Sequence, residues 1–248
     1  MSLGQLLWGD LHNHNELGYG QGSLQRSYDI ASSHLDFYAF TAHGQNTDGV
    51  SLTHYPTVDE HWPQIQAAAR TGNDPGTFTS FLAYEWHSGP WGHVHVVFGD
   101  DDQPLQKATS LADLQAAMRG RDVILIPHHT GYRCGVDWDL IDPELSPVVE
   151  IYSEHGASER DIGLHPMLGH SGGPGDHHFT IQAGLARGHR VGFTAGTDNH
   201  DGYPGGYGLG LTGVYAQSNS RHDILQALRQ RRTIGVTGDR IDIQFFCG

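Results

Sequence analysis

The sequence predicts an α/β barrel, and three observations carry that prediction. Apolar, β-branched-rich runs recur along the chain with helical patterns between most of them, the alternation expected of βαβ units. Five of these runs end in residues able to bind a metal: His12 and His14 in LLWGDLHNH, His43 in FYAFTAHG, Glu85 in FLAYEWH, His128 in VILIPHH, and Asp198 with His200 in VGFTAGTDNH. A sixth, VVEIYSEHG, carries Glu150 and His155. In parallel α/β barrels such strand ends converge on one rim, where loops build the active site. A length of 248 residues suits one domain of that kind.

The elements follow in order. A first strand is expected over residues 6–12, and a polar, Gly-rich loop (13–22) leads to a helix that Ser23 can cap. FYAFTAH is the second strand, which completes one parallel crossover. After a loop with Pro56, VDEHWPQIQAAARTG reads as a helix; Pro63 falls in its first turn or kinks it, and Gly72 stops it. TFTSFLAYEW is the third strand. In GHVHVVFGDD polarity alternates from His93 to Val96, so this run is expected to be hairpin-like rather than central.

SLADLQAAMRG is an amphipathic helix with Ser110 as cap and Gly120 as stop. The continuous apolar run of VILIPHH marks a buried strand. A loop with Trp138 and Pro143 precedes VVEIYSEH, and the aperiodic GLHPMLGHSGGPGDHH then has the character of a lid or a disordered excursion. FTIQAGLARG and RVGFTAGTDNH resume the helix and strand alternation. HDGYPGGYGLG is a loop, LTGVYAQ a short strand, RHDILQALRQRR a helix and IDIQFFCG a last strand. With no internal repeat and no low-complexity linker, residues 1–248 read as one domain. Its strand-like end raises the expectation of a longer parent protein.

Lys and Arg number 14 against 28 Asp and Glu, a formal charge of −14. That balance argues against a nonspecific nucleic-acid binder and a polybasic membrane-surface protein. The outlier is 19 His, more than a core requires, and imidazole is the commonest metal ligand among side chains. Cys134 and Cys247 are far apart and form no CxxC, so neither a disulfide framework nor a Cys-type zinc site is expected. Without a secretory signal or an apolar stretch near the roughly 18 residues that span a bilayer, the expected location is the cytoplasm.

In an extended segment residues i and i+2 point the same way, so His12 and His14 can chelate one cation, and Asp198 and His200 repeat that spacing on another strand. GDLHNH, FTAHG, AYEW, IPHH, VEIYSEHG and GTDNH, in this order, resemble the motifs of the PHP (polymerase and histidinol phosphatase) superfamily of metal-dependent phosphoesterases. The resemblance runs from about residue 9 to the end. The stretch from LTGVYAQ through ALRQRRTIGVTGDRI is similar to a less characterised branch whose members often continue further.

This resemblance implies a distorted seven-stranded β/α (TIM-like) barrel holding two or three Zn, Mn or Fe ions. It implies one ion on His12, His14, Glu85 and Asp198, a second bridged by Glu85 and held by His128 and His155, and a third on His43 and His200. Another third-site ligand usually follows the first motif, and Glu16 is the residue here that can serve. The Asp that commonly precedes the second-motif His is Ala42. The expected chemistry is hydrolysis of a small-molecule phosphate ester by water activated between cations, with Glu85 and Asp198 indispensable and no Ser or Cys nucleophile.

Arg133 and Arg160, five residues beyond His128 and His155, are the candidates for holding an anionic substrate, with surface salt bridges as their competing role. His129 neighbours a ligand and is expected to point away from the centre. His93 can project toward it, with weaker cases for His87 and His95. His165, His170, His177 and His178 belong to the long loop. Two alternatives stay open: amidohydrolase-like attack on a carbonyl substrate, for which Lys107 is the only lysine available as a bridging group, and a noncatalytic metal-binding module.

Overall fold

The computed structural model describes residues 4–46, 58–133, 135–167 and 175–244. Pro56, Cys134, His170 and Cys247 lie outside them. Strand β1 (Gln5–Asp10) pairs in parallel with β2 (Phe37–Ala39), which pairs in parallel with β4 (Thr79–Ser88). Two helices make the crossovers, α1 (Leu24–His34) and α2 (Trp62–Thr71). Ser23 caps α1 by accepting a hydrogen bond from the Arg26 amide, and Pro63 sits in the first turn of α2, where its missing N–H costs nothing. The run ending at His43 is split: β2 stops at Ala39 and β3 (His43–Asn46) starts a separate pairing with the far end of β4.

Beyond β4 the order departs from a parallel barrel. Strand β5 (Gly92–Phe98) is antiparallel to β4 and to β6 (Val123–His128), while β10 (Leu211–Ala216) is antiparallel to β1 and to β11 (Thr233–Val236). The hairpin reading of β5 therefore holds, but the strand is central, paired on both sides and buried throughout. The main sheet runs β11-β10-β1-β2-β4-β5-β6 with β3 beside β4. A second sheet, β8 (Gly156–Ala157), β7 (Val148–Ser153) and β9 (Gly192–Ala195), stands apart from that ladder.

The expected closed barrel is thus corrected to a mixed α/β fold built on a curled, open sheet. The two sheets meet without a ladder: the Thr212 hydroxyl links β10 to Ala195 of β9, and the Leu125 amide of β6 donates to the Leu145 carbonyl in the segment before β7. The last described strand falls on Thr233–Val236; of the predicted run IDIQFFCG, residues 241–244 are not a strand and residues 245–248 lie outside the described residues.

Alternation along the strands sorts their side chains into two cores. Leu82, Tyr84 and Trp86 of β4, with Val94, Val96 and Phe98 of β5, face α1, α2 and α3 (Leu111–Met118) on the outer side. Phe81, Ala83, Val97, Ile124 and Ile126 face the inside of the curl with Leu7, Phe37 and Val214; α4 (Ile181–Ala186) precedes β9, and α5 (Arg221–Arg229) packs against this inner cluster. Continuing along the same inner face, the next side chains are Glu85 and His87 on β4, His95 and His93 on β5, and His128 on β6. One end of the interior is therefore apolar and the other is lined with imidazoles and a carboxylate. No helix among the described residues is long and apolar enough to cross a membrane.

Candidate metal centre

The first motif reaches the cage through a bend. Leu7 and Leu11 both belong to the inner apolar cluster, so simple alternation would turn His12 and His14 outward. The Asp10 carboxylate prevents this by accepting from the His12 amide two residues on, 3.1 Å away. The same carboxylate accepts from the Thr197 amide and hydroxyl and from the Gly205 amide, which pins the end of β1 to the segment after β9. Backbone bonds from Asp198 to the His12 carbonyl (2.7 Å) and from His14 to the Asn199 carbonyl (2.9 Å) complete the seam. The predicted strand over 6–12 ends earlier, at Asp10, and the His12 and His14 pair lies just past it on a segment held by its neighbour.

Four carboxylate oxygens organise the imidazoles. Asp198 Oδ1 lies 3.0 Å from His12 Nε2 and 3.2 Å from His14 Nε2, and Asp198 Oδ2 lies 3.1 Å from His129 Nε2 and 3.2 Å from His155 Nε2. Glu85 Oε2 lies 3.2 Å from His43 Nε2 and 3.5 Å from His14 Nε2. Glu85 Oε1 faces His128 Nε2 and His93 Nδ1, each at 3.2 Å, and His87 Nδ1 at 3.7 Å. The ring of His200 stacks on that of His14, centroids 4.2 Å apart, with its Nδ1 2.9 Å from the Asp198 carbonyl oxygen.

The structure thus brings His12, His14, His43, Glu85, His128, His155, Asp198 and His200 together. Their grouping differs from the one the resemblance implied: His155 sits on Asp198 beside His129, whereas His128 shares Glu85 with the hairpin histidines. Glu16, Arg133 and Arg160 are exposed. Lys107 is also exposed, with its ammonium 2.5 Å from Asp59.

His129, His93, His95 and Glu150 are the members that sequence reasoning missed or underrated. Strand alternation would turn His129 away from His128, but its φ of 53° breaks the alternation and swings the ring to Asp198, itself at φ 53°. Non-glycine residues in this left-handed region are uncommon and cluster at functional sites. The alternation of His93 and His95 with valines was the signal for β5, and both rings do face the cage. Glu150 places its two oxygens 3.0 and 3.1 Å from His12 Nδ1, which leaves Nε2 aimed at Asp198. Such a carboxylate behind a ligating imidazole fixes its tautomer and orientation.

Burial pulls His14, His43, His95 and His129 below the ordinary imidazole range, and His93 and His128 down to about 3, so these rings are neutral near neutral pH, the form that ligates a cation. Burial alone would raise Glu85 and Asp198, but the surrounding imidazoles outweigh it and hold both well below the usual carboxylate range. His12, His155 and His200 are the exceptions: burial disfavours their charge, yet Asp198 and Glu150 together hold His12 well above its usual value, and Asp198 with Glu154 raises the other two. Glu150 itself is pushed up by burial to about 7.

The cage thus demands positive charge at its centre. Both ring nitrogens of His14 and of His95, His128 Nδ1 and Asp198 Oδ2 are buried without a hydrogen bond. A cation shared between such closely spaced nitrogen and oxygen atoms would satisfy them, so this donor set fits divalent metals. The open side is marked by His155 and His200, whose side chains are 25% and 26% exposed while the other caged imidazoles are under 10%. Tyr19 overhangs that mouth, its ring 5.2 Å from His200.

Among solved structures, a two-domain protein from Bacteroides vulgatus containing a predicted PHP-like metal-dependent phosphoesterase shares the fold with a TM-score of 0.60 and 17% identity, over 94% of this chain and 65% of that one. PsfC from Pseudomonas syringae gives 0.57 and 16%, covering 95% and 92%. The lesion-specific endonuclease Q of Pyrococcus furiosus gives 0.55 and 12%, covering 91% and 56%. At these identities the likeness is one of fold.

Uncharacterised proteins of Chlamydia pneumoniae and Chlamydia trachomatis are 26% and 27% identical over 97% of the chain, which spans only about two fifths (40% and 41%) of their length. The model of the family described as protein of unknown function (DUF3604) matches residues 21–155 and 207–248. With most of its length inside that match, the chain belongs to the DUF3604 family.

Proposed function

We propose that this domain is a metal-dependent hydrolase of small-molecule phosphate esters. The observation that carries the reading is the division of labour around Glu85 and Asp198: two buried, ionised carboxylates, each with imidazoles on both oxygens. The PHP-like fold of the solved neighbours supports the same class of chemistry. Divalent cations, of which Zn, Mn and Fe suit the donors, would polarise a phosphoryl oxygen and bring a water toward ionisation near neutral pH.

The chain's own residues do the rest. His12, His14, His43, His128, His129, His155 and His200 would hold the ions with Glu85 and Asp198, and Glu150 fixes the His12 ring. The apolar interior below the cage keeps bulk water from its base. Substrate would enter past Tyr19, His155 and His200, and the exposed Arg133 and Arg160 are the proposed partners of its phosphate.

The test is a panel of aryl phosphate monoesters, diesters and carboxyl esters with the Zn-, Mn- and Fe-loaded chain. Glu85→Ala and Asp198→Ala are expected to lower kcat at least about 100-fold, the scale of losing a preorganised charge-stabilising group. Unaltered turnover in both variants would overturn the proposal. Turnover of carboxyl esters alone would replace it with amidohydrolase-like chemistry, and loaded protein inert on every class would leave a binding module.

A further inference from the structure

The β4 and β5 hairpin supplies imidazoles beyond those in the strand-end motifs. In the ladder His87 stands opposite His93, and His93 opposite His128, so three histidines form one row across three adjacent strands on the inner face. Glu85 stands opposite His95 in the next row. His93 Nδ1 and His128 Nε2 are each 3.2 Å from Glu85 Oε1, and His87 Nδ1 is 3.7 Å from it. The ligand atoms of Glu85, His87 and His93 lie within 4.8 Å of one another, as do those of His93, His128 and His129. A tetrahedral cation with bonds of about 2.0–2.1 Å sets its ligand atoms roughly 3.3 Å apart, close to the three distances from Glu85 Oε1.

A purely structural role for this row fits poorly. Core positions between Val94, Val96 and Val97 admit apolar side chains, and burying an imidazole without a polar partner is costly. His95, wholly buried, has neither ring nitrogen hydrogen-bonded and stacks on His128 with centroids 3.9 Å apart. Both nitrogens of His95 and Nδ1 of His128 are thus buried on this side of the cage without a hydrogen bond.

We propose that the hairpin contributes a cation site of its own, with Glu85 Oε1, the Nδ1 atoms of His87 and His93, and His128 Nε2 as its four ligands. The nitrogen-rich set selects a borderline cation such as Zn²⁺ over Mg²⁺ or Ca²⁺. Glu85 then serves two neighbouring ions, one through each oxygen. The inference rests on the metal-centre reading above and assigns the Oε1 side of it to the hairpin.

The experiment strips the chain with chelator, reloads it with Zn²⁺ and measures bound metal by mass spectrometry, with affinity from competition against a chromophoric chelator. A His87→Asn/His93→Asn double variant is expected to bind one ion fewer per chain, and each single variant to weaken one class of ion at least tenfold. Unchanged stoichiometry and affinity in the folded double variant overturns the site. Imidazole ¹⁵N resonances of the wild-type chain give a readout independent of variant folding: the His87 and His93 Nδ1 signals move to metal-coordinated positions on Zn²⁺ addition. Signals that stay in place at saturation overturn it equally. Wild-type protein that binds the extra ion but hydrolyses no phosphate ester would refute the proposed reaction and leave the site standing.

Discussion

His12 shows how much of the cage depends on groups that never need to touch an ion. Its ring lies between two carboxylates, Glu150 behind Nδ1 and Asp198 before Nε2, so the backing carboxylate decides which nitrogen faces the centre. Glu150→Gln keeps the size and a hydrogen-bond acceptor but removes the charge that raises the basicity of the ring. Metal affinity is expected to fall about 10- to 100-fold, the usual consequence of losing a partner behind a ligand. Chelator competition on the folded variant measures it, and affinity within twofold of wild type would show that Glu150 is a buried acid without influence on the ion. His129 makes the same point from the backbone: its imidazole reaches Asp198 only because a left-handed φ departs from the strand.

Among the elements, the seam between the end of β1 and the segment after β9 is the most sensitive, because two backbones approach with no room between them. A Cβ on Gly196 would come within 2.4 Å of the His12 Cβ and 2.8 Å of Glu150 Oε2. Gly196→Ala therefore displaces the ligand and its backing group together. The expected outcome is a loss of about 1–3 kcal/mol from overpacking with metal affinity reduced alongside, read by denaturant unfolding and metal titration. Full metal binding in a destabilised variant would show that the seam relaxes away from the site.

The elements themselves were largely legible. Serine caps, a first-turn proline and apolar periodicity place α1 to α3 and β4 to β6 close to where they fold. What alternation could not convey was its own interruption, at the Asp10-anchored bend before His12 and at the left-handed His129 and Asp198. Pairing partners were hidden for a related reason. A strand with one polar face reads as an edge, yet the polar face of β5 is buried against the cage, and its antiparallel pairing on both sides helps replace the closed parallel barrel with a mixed, open sheet.

Across the whole molecule, one interior serves two kinds of solvation. The end packed against α5 is closed by Leu, Ile, Val and Phe side chains and needs no ligand to hold together. The opposite end buries Asp10, Glu85, Glu150 and Asp198 among imidazoles, in a chain whose formal charge is already −14. Cations bound there would neutralise that charge and satisfy the orphaned nitrogens, which would couple stability to metal occupancy. An ion present at 100 to 1,000 times its dissociation constant adds about 2.7–4.1 kcal/mol, and 1 kcal/mol moves Tm by roughly 2–4 °C at this size. Removing the metals is therefore expected to lower Tm by on the order of 10 °C, reversibly on reloading. Hydrogen exchange should rise at the cage ends of β4, β5 and β6 and stay low in α5 and the strands it covers. An unshifted Tm after proven metal loss would mean that the buried carboxylates and imidazoles satisfy one another without a cation, and the centre would have to be read as a polar core.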